Sequence, residues 1–519
     1  MAAAEPLSAS SPPAFTHRET LTILFGLAVG MFLAALDQTI VATALPRIGA
    51  ELQGFEHLSW IASAYLLSST ATTPIYGKLS DLYGRKALLQ TALVIFFLTS
   101  ALCALATTLN QLILFRVLQG LGGGGLMAMA HATIADVISP RDRGKYQAYF
   151  ASTFAAAAMM GPSLGGFFAD YLSWRWVFWI NLPLCIVAIV MSQMTLKRLK
   201  PKRVRHKIDY LGALLIVSAI WCTLMVTTMG GKELPWTSPK LLGLAAVAAV
   251  LFGAAIFQEL RASEPILPPR LFVNDIYVTV TLMTMLIAVG MLGTVCFLPL
   301  YFQLVLGLDS TSSGLMLSML PLSMIALAIF TGRKVAKTGR YKIFTMVGGG
   351  FGIAGMLVLG ALPAVPWIGF VMLGLAFFGL GCGLINPITI TVCQNAVEVR
   401  DLGTATASNS FFRSMGGSFG IALFGAVLIA RLDALLEAIP GHEALGPEPG
   451  LTLLNATVTP GLIPDALRAP VIAALAQAFS DVFHVGTGAA VLLFIAALCL
   501  REAPLKTASG IAARAAQAD

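Results

Sequence analysis

Long apolar runs alternate with short polar ones along nearly the whole chain, from about residue 20 to residue 500. A helix crossing a bilayer needs about 20 largely apolar residues. Segments of that length fall at 21–45, 58–77, 87–107, 111–137, 146–169, 175–196, 208–229, 241–259, 277–303, 313–332, 343–363, 366–391, 404–430 and 482–500. The pattern predicts an all-α integral membrane protein of fourteen spans, with both termini on one side.

Composition agrees. Hydrophobic residues make up 57% and charged residues 11%, where soluble chains carry roughly 25% charge. Six of the seven cysteines lie inside apolar stretches and Cys393 ends another, as expected of small hydrophobes rather than disulfide or metal ligands. Residues 1–20 are polar and lack the basic start and cleavage signal of a secretory peptide, so the first span is expected to be retained.

The net charge of +8 is decided by where the charges fall. With both termini cytoplasmic, 25 of the 33 Lys and Arg residues face inward and 6 face outward, the bias that orients membrane proteins. The linker "KRLKPKRVRHK" (197–207) reads as a cytoplasmic anchor beside anionic lipid, not as a nucleic-acid contact. Outward loop 431–481 is the one sizeable extramembrane piece. Its "PDALRAPVIAALAQAFSDVF" is expected to be either an amphipathic surface helix, a contact for a partner such as a periplasmic adaptor, or a packed loop.

An internal repeat is visible. "GKLSDLYGRK" begins at Gly77 and "GRKVAKTGRYK" at Gly332. "GPSLG" begins at Gly161 and "GGSFG" at Gly416; both pairs are separated by 255 residues. Two matches at one offset predict two related halves. The expected organisation is a tail (1–20), a six-helix bundle (21–196), the basic linker, two inserted helices (208–259), a second six-helix bundle (277–500) and a tail (501–519).

"GKLSDLYGRK" resembles the G-x-L-x-D-x-x-G-R-K signature of the major facilitator superfamily. "RVLQGLGGG" resembles its R-x-x-x-G-x-G element, and "GPSLGG" resembles the G-P-x-x-G-G of its antiporters. "LDQTIVATALP" and "WRWVFWINLP" are similar to motifs of its fourteen-span drug:proton antiporter subfamily. The resemblance covers essentially the whole chain. It implies two six-helix bundles plus two inserted helices, no enzymatic activity, and no cofactor beyond the proton motive force. It further implies export of amphipathic, cationic compounds in exchange for protons from a bacterial inner membrane. Export of one metabolite on the same fold is the alternative. The second loop copy departs from the signature, with Ala336 where the first has Asp81.

An ionisable group in a span costs at least about 2.5–3.5 kcal/mol and faces a partner or a cavity. Asp37 lies roughly 13 Å below the outward end of span one and Arg116 roughly 9 Å deep in span four, so the two can meet. No other acid lies deep within an expected span. A static pair is one reading. The other is a proton site, because desolvation favours the neutral acid and a neighbouring cation the carboxylate. The resemblance assigns proton coupling to Asp37. It also assigns an inward gate to Gly77, Asp81, Gly84, Arg85 and Lys86, where Asp81 and Arg85 can pair, cap helices or bridge to Arg141 and Arg143. Gly161, Pro162, Gly165 and Gly166 form the antiporter motif, a close-packing face. Gln38, Tyr65, Gln119, Asn386, Asn409, Phe412 and Arg413 are candidates to line the substrate pathway, and His131 is either a packing residue or a proton relay. No metal site is expected.

Overall fold

Every expected span is helical in the computed structural model, which describes residues 17–52, 58–196, 209–230, 234–308, 310–361, 368–440 and 465–506. The basic linker 197–207 and the part of the outward loop at 441–464 lie outside the described residues. So do most of both tails.

The helices are α1 (His17–Leu52), α2 (Ser59–Tyr83), α3 (Arg85–Ala104), α4 (Leu109–Val137), α5 (Pro140–Tyr171), α6 (Trp176–Trp179), α7 (Asn181–Thr195), α8 (Tyr210–Met229) and α9 (Pro239–Arg261). They continue as α10 (Pro269–Val273), α11 (Asp275–Leu304), α12 (Ser310–Leu317), α13 (Met319–Thr338), α14 (Lys342–Gly360), α15 (Ile368–Asn395), α16 (Leu402–Glu437) and α17 (Asp465–Cys499). Twelve segments of the described residues are long and apolar enough to cross a membrane. The expected spans missing from that set are α2 and α5, of 25 and 32 residues. Their mean hydropathy is lowered by polar stretches, Ser and Thr over 68–73 in α2 and Arg, Asp, Lys and Gln over 141–147 in α5.

Two bundles result. In the first, α1 packs on α5 and α7, and both α2 and α3 pack on α4. In the second, α11 packs on α16, α13 and α14 pack on α15, and α14, α11 and α16 pack on α17. The bundles meet where α2 lies along α16 and α5 along α13, and α8 rests against both α2 and α16. The inserted pair α8–α9 therefore sits beside the seam.

The repeat read from the sequence has a structural counterpart. Gly84 and Gly339, 255 residues apart, both have positive φ (93° and 71°), a backbone region that glycine enters without penalty. In the first bundle Gly161 and Gly165 press α5 onto Thr39, Ile40 and Thr43 of α1. In the second, Gly416 and Gly420 press α16 onto the backbone of Met285 and Val289 in α11. No side chain fits at these contacts, which is the packing that small residues permit. Gly166 faces open space, and the side chain of Pro162 lies outside the described residues.

One sequence expectation is corrected. The stretch from residue 465 is neither a surface helix nor a loop: it is the first half of α17, continuous with the last span. Leu475, Phe479, Val482 and Phe483 are fully buried in the core of the second bundle. Their helical spacing marks a helix face packed against α11 and α16, not one lying on a membrane.

Candidate functional site

Asp37 and Arg116 meet. Asp37 is 0% exposed and Arg116 1%, and Arg116 Nη1 lies 2.6 Å from Asp37 Oδ2. The other carboxylate oxygen accepts from Gln119 Nε2 at 3.1 Å and from Asn181 Nδ2 at 2.9 Å. Arg116 also donates to Gln119 Oε1 (2.7 Å) and to the Ile61 carbonyl (3.1 Å), and its guanidinium lies 4.3 Å from the Tyr65 ring centre. Gln38 lies near the Tyr65 hydroxyl. Of the pathway candidates, Gln38, Tyr65 and Gln119 thus belong to the Asp37 cluster. Such a pair is expensive to desolvate and persists because its oxygens and N–H groups are satisfied.

Asn181 and Ser100 escaped the sequence reading. The path from residue 172 to α7 explains them. Trp174 is buried and donates to Glu51 at 2.7 Å, and Arg175 pairs with the same carboxylate. That hydrogen bond from Arg175 holds the Glu51 carboxyl below its ordinary value. The anchored turn leads through α6 to Asn181, the first residue of α7. There Ser100 donates to the Phe178 carbonyl at 2.9 Å and accepts from Asn181 at 3.1 Å. Asn181 was detectable as the one amide in "WRWVFWINLP"; Ser100 had no signal in sequence.

A second network joins the bundles at the end where the chain termini lie. Arg85 pairs with Asp81 (2.6 Å) and Asp136 (2.8 Å) and donates to Ser80. Asp81 then reaches across the seam. Its oxygens accept from the Gly403 and Thr404 amides at 3.1 and 2.8 Å and from the Thr404 hydroxyl at 3.0 Å. These amides are unsatisfied donors of the first turn of α16. The helix's own N-cap residue, Asp401, makes no capping bond and instead binds Arg270 through both oxygens, at 2.9 and 2.7 Å. Asp81 therefore caps in its place, with its charge at the favourable end of the helix dipole.

The opposite seam carries the converse contact. Arg141, at the start of α5, donates to the carbonyls of Ala336 (2.9 Å) and Lys337 (3.3 Å) in the last turn of α13. A cation belongs at a helix C-terminus. The second loop copy lacks a carboxylate at 336, and here the connection comes from the other partner. Arg143 does not bridge to Asp81; it closes the end of α4 by donating to the carbonyls of Ile138 and Ala135. Gly77 lies so close to Gly403 and Ala407 that a side chain there would separate α2 from α16. Lys86 is half-buried and takes no part in these contacts.

Of the remaining candidates, Asn386, Asn409, Phe412 and Arg413 lie in the second bundle and His131 in α4 of the first. Arg413 Nη2 donates to Asn386 Oδ1 at 2.8 Å, and Asn409 donates to Thr284 of α11 at 3.1 Å. Phe412 turns away to Phe411 and Phe272, beside α8. His131 packs near Phe150 and accepts Gln394 of α15 at its backbone carbonyl.

Two helical bundles joined across a seam by polar contacts, with a buried ion pair inside the first, fit a membrane transporter. The chain belongs to the Major Facilitator Superfamily, whose profile matches residues 27–421. It is 37% identical to an uncharacterized MFS-type transporter of Mycobacterium tuberculosis over 93% of this chain and 70% of that protein. It is 37% identical to the multidrug transporter protein MdtP of Bacillus subtilis over 82% of this chain and 78% of that one. Multidrug resistance protein 3 of the same organism is 32% identical, covering 96% and 98%. Among solved structures, human MFSD10 superposes with a TM-score of 0.63 at 15% identity, covering 92% of this chain and 99% of that one. The proton:xylose symporter XylE superposes at 0.60 and 14%, covering 96% and 100%. Both share the fold.

Proposed function

We propose that this chain is a fourteen-span antiporter that exports amphipathic compounds in exchange for protons by alternating access, with both termini cytoplasmic in a bacterial plasma membrane. The observation that carries the reading is Asp37, a mid-helix carboxylate with zero exposure that is held by donors from α4 and α7. Its protonation weakens the Arg116 contact, so proton uptake and the packing of α1, α4 and α7 are coupled. The α5–α1 contact at Gly161 and Gly165 grips α1 at Thr39 and Thr43, within two turns of Asp37. The names of the B. subtilis relatives, a multidrug transporter and a multidrug resistance protein, support the reading, and the Lys/Arg asymmetry supports the orientation. The expectation of a cationic substrate gains no support from the site, because Asp37 is fully committed to its partners.

In this reading the Asp81 and Arg141 contacts hold the cytoplasmic gate shut. Loss of an N-cap costs about 0.5–2 kcal/mol. Asp81→Ala with Arg141→Ala is expected to shift the gate toward opening by roughly 5- to 30-fold. Spin labels at Tyr83 and Arg400 read this as a population at longer distance; an unchanged distribution contradicts the gate assignment.

Proton drive itself is tested by adding a protonophore to energised cells while ATP is maintained. Export is expected to stop. Undiminished export would overturn proton coupling.

A further inference from the structure

The three buried arginines of the described helices have their charge answered by an acid or by carbonyls: Arg116 by Asp37, Arg85 by Asp81 and Asp136, and Arg143 by the end of α4. Arg413 is different. It sits eleven residues into α16, about 16 Å along the helix from its start, and among the described residues the group it donates to is the neutral oxygen of Asn386. Its titratable neighbours are Cys382 and His131, neither of them an acid. None of its nitrogens is both sealed from solvent and unbonded. The residue is half-buried, so its remaining N–H groups are not sealed off as those of the other three arginines are.

A charge at this depth is retained for a partner, and among the described residues no carboxylate pairs with Arg413. Asn386 is itself fixed, with its amide nitrogen against Met324 Sδ at 3.9 Å, so the free edge of the guanidinium has a set direction. On the other side of the seam His131 of α4 is within electrostatic reach, and its Nδ1 has no hydrogen-bond partner. A planar fork of N–H donors with one edge free suits a carboxylate, which it binds through two parallel bonds. Met324 and Cys382 supply adaptable apolar surface beside it.

We propose that Arg413, oriented by Asn386, receives the carboxylate of an amphipathic acid, so that the exported compounds are organic anions and not cations. The proposal rests on the export reading above and names the substrate class for it. A neutral or cationic compound leaves Arg413 unanswered, whereas an acid supplies the missing counter-charge.

The test uses the full-length protein in detergent and no proton gradient, so its outcome is independent of proton coupling. Naphthylacetate, phenylbutyrate and dansylglycine, each beside its methyl ester, are titrated by calorimetry. At least one acid is expected to bind more tightly than its ester by roughly 10- to 100-fold, the value of a hydrogen-bonded charge. Arg413→Gln is expected to abolish that preference while leaving ester affinity in place, and Arg413→Lys to keep part of it. Asn386→Asp supplies an internal carboxylate and is expected to abolish the preference with the arginine intact, which keeps the test valid should Arg413→Gln fold poorly. Equal affinity for every acid and its ester in the native protein overturns the proposal. So does a preference that survives both Arg413→Gln and Asn386→Asp.

Discussion

Asp37→Asn is expected to abolish uphill export driven by an imposed pH gradient in proteoliposomes, while leaving downhill exchange of substrate for substrate largely intact. Exchange needs the alternating motion without net proton movement, so the pair of assays separates loss of coupling from loss of the transporter. The variant leaves Arg116 buried beside a neutral amide, and breaking a buried pair by removing one partner costs about 3–5 kcal/mol. A reduced yield of folded protein therefore accompanies it. Asp37→Asn combined with Arg116→Gln removes both charges, and it is expected to recover stability without recovering uphill transport. If the double variant regains pH-driven export, the coupling role belongs elsewhere.

The second large effect is expected at the contact between α5 and α1. Gly165→Val places a branched side chain against the Ile40 carbonyl and Thr43, where even a single added carbon is too close. Backbone cannot yield as a flexible side chain does, so α1 must move, and Asp37 moves with it. Overpacking of this kind costs about 1–3 kcal/mol. The expected result is near-complete loss of export together with a proton leak in vesicles lacking substrate. Gly166→Val is the control: a side chain at Gly166 meets nothing within 4 Å. It is expected to behave as the native protein. Equal loss in both variants would remove the α5–α1 contact from the mechanism.

The helix positions and the Asp37–Arg116 pair were legible in the sequence, because lipid forces apolar length and a lone acid in a span demands a partner. The two-fold repeat was legible through its glycines: Gly84 and Gly339 both have positive φ, although ψ differs, at 147° and −9°. The contacts that cross between bundles were not. Asp81 caps α16 through backbone amides of Gly403 and Thr404, and Arg141 reaches backbone carbonyls of α13. Backbone groups are the same in every residue, so no pattern of side chains announces them. Asp401, the N-cap residue of α16, is diverted to Arg270. Residues 465–481 were misplaced because an amphipathic period describes a helix on a membrane and a helix edge inside a bundle equally well. The surroundings of Arg413 were not legible for a similar reason: the residue was visible, but its pairing with the neutral Asn386 is a fact of three dimensions.

The central claim is that Asp37 carries the exchanged proton. The most direct measurement is proton release from the purified protein in weakly buffered detergent solution, followed with a pH-indicator dye as substrate is added. The native protein is expected to release protons in proportion to bound substrate, and Asp37→Asn to bind substrate with no release. Undiminished proton release from Asp37→Asn would contradict the account.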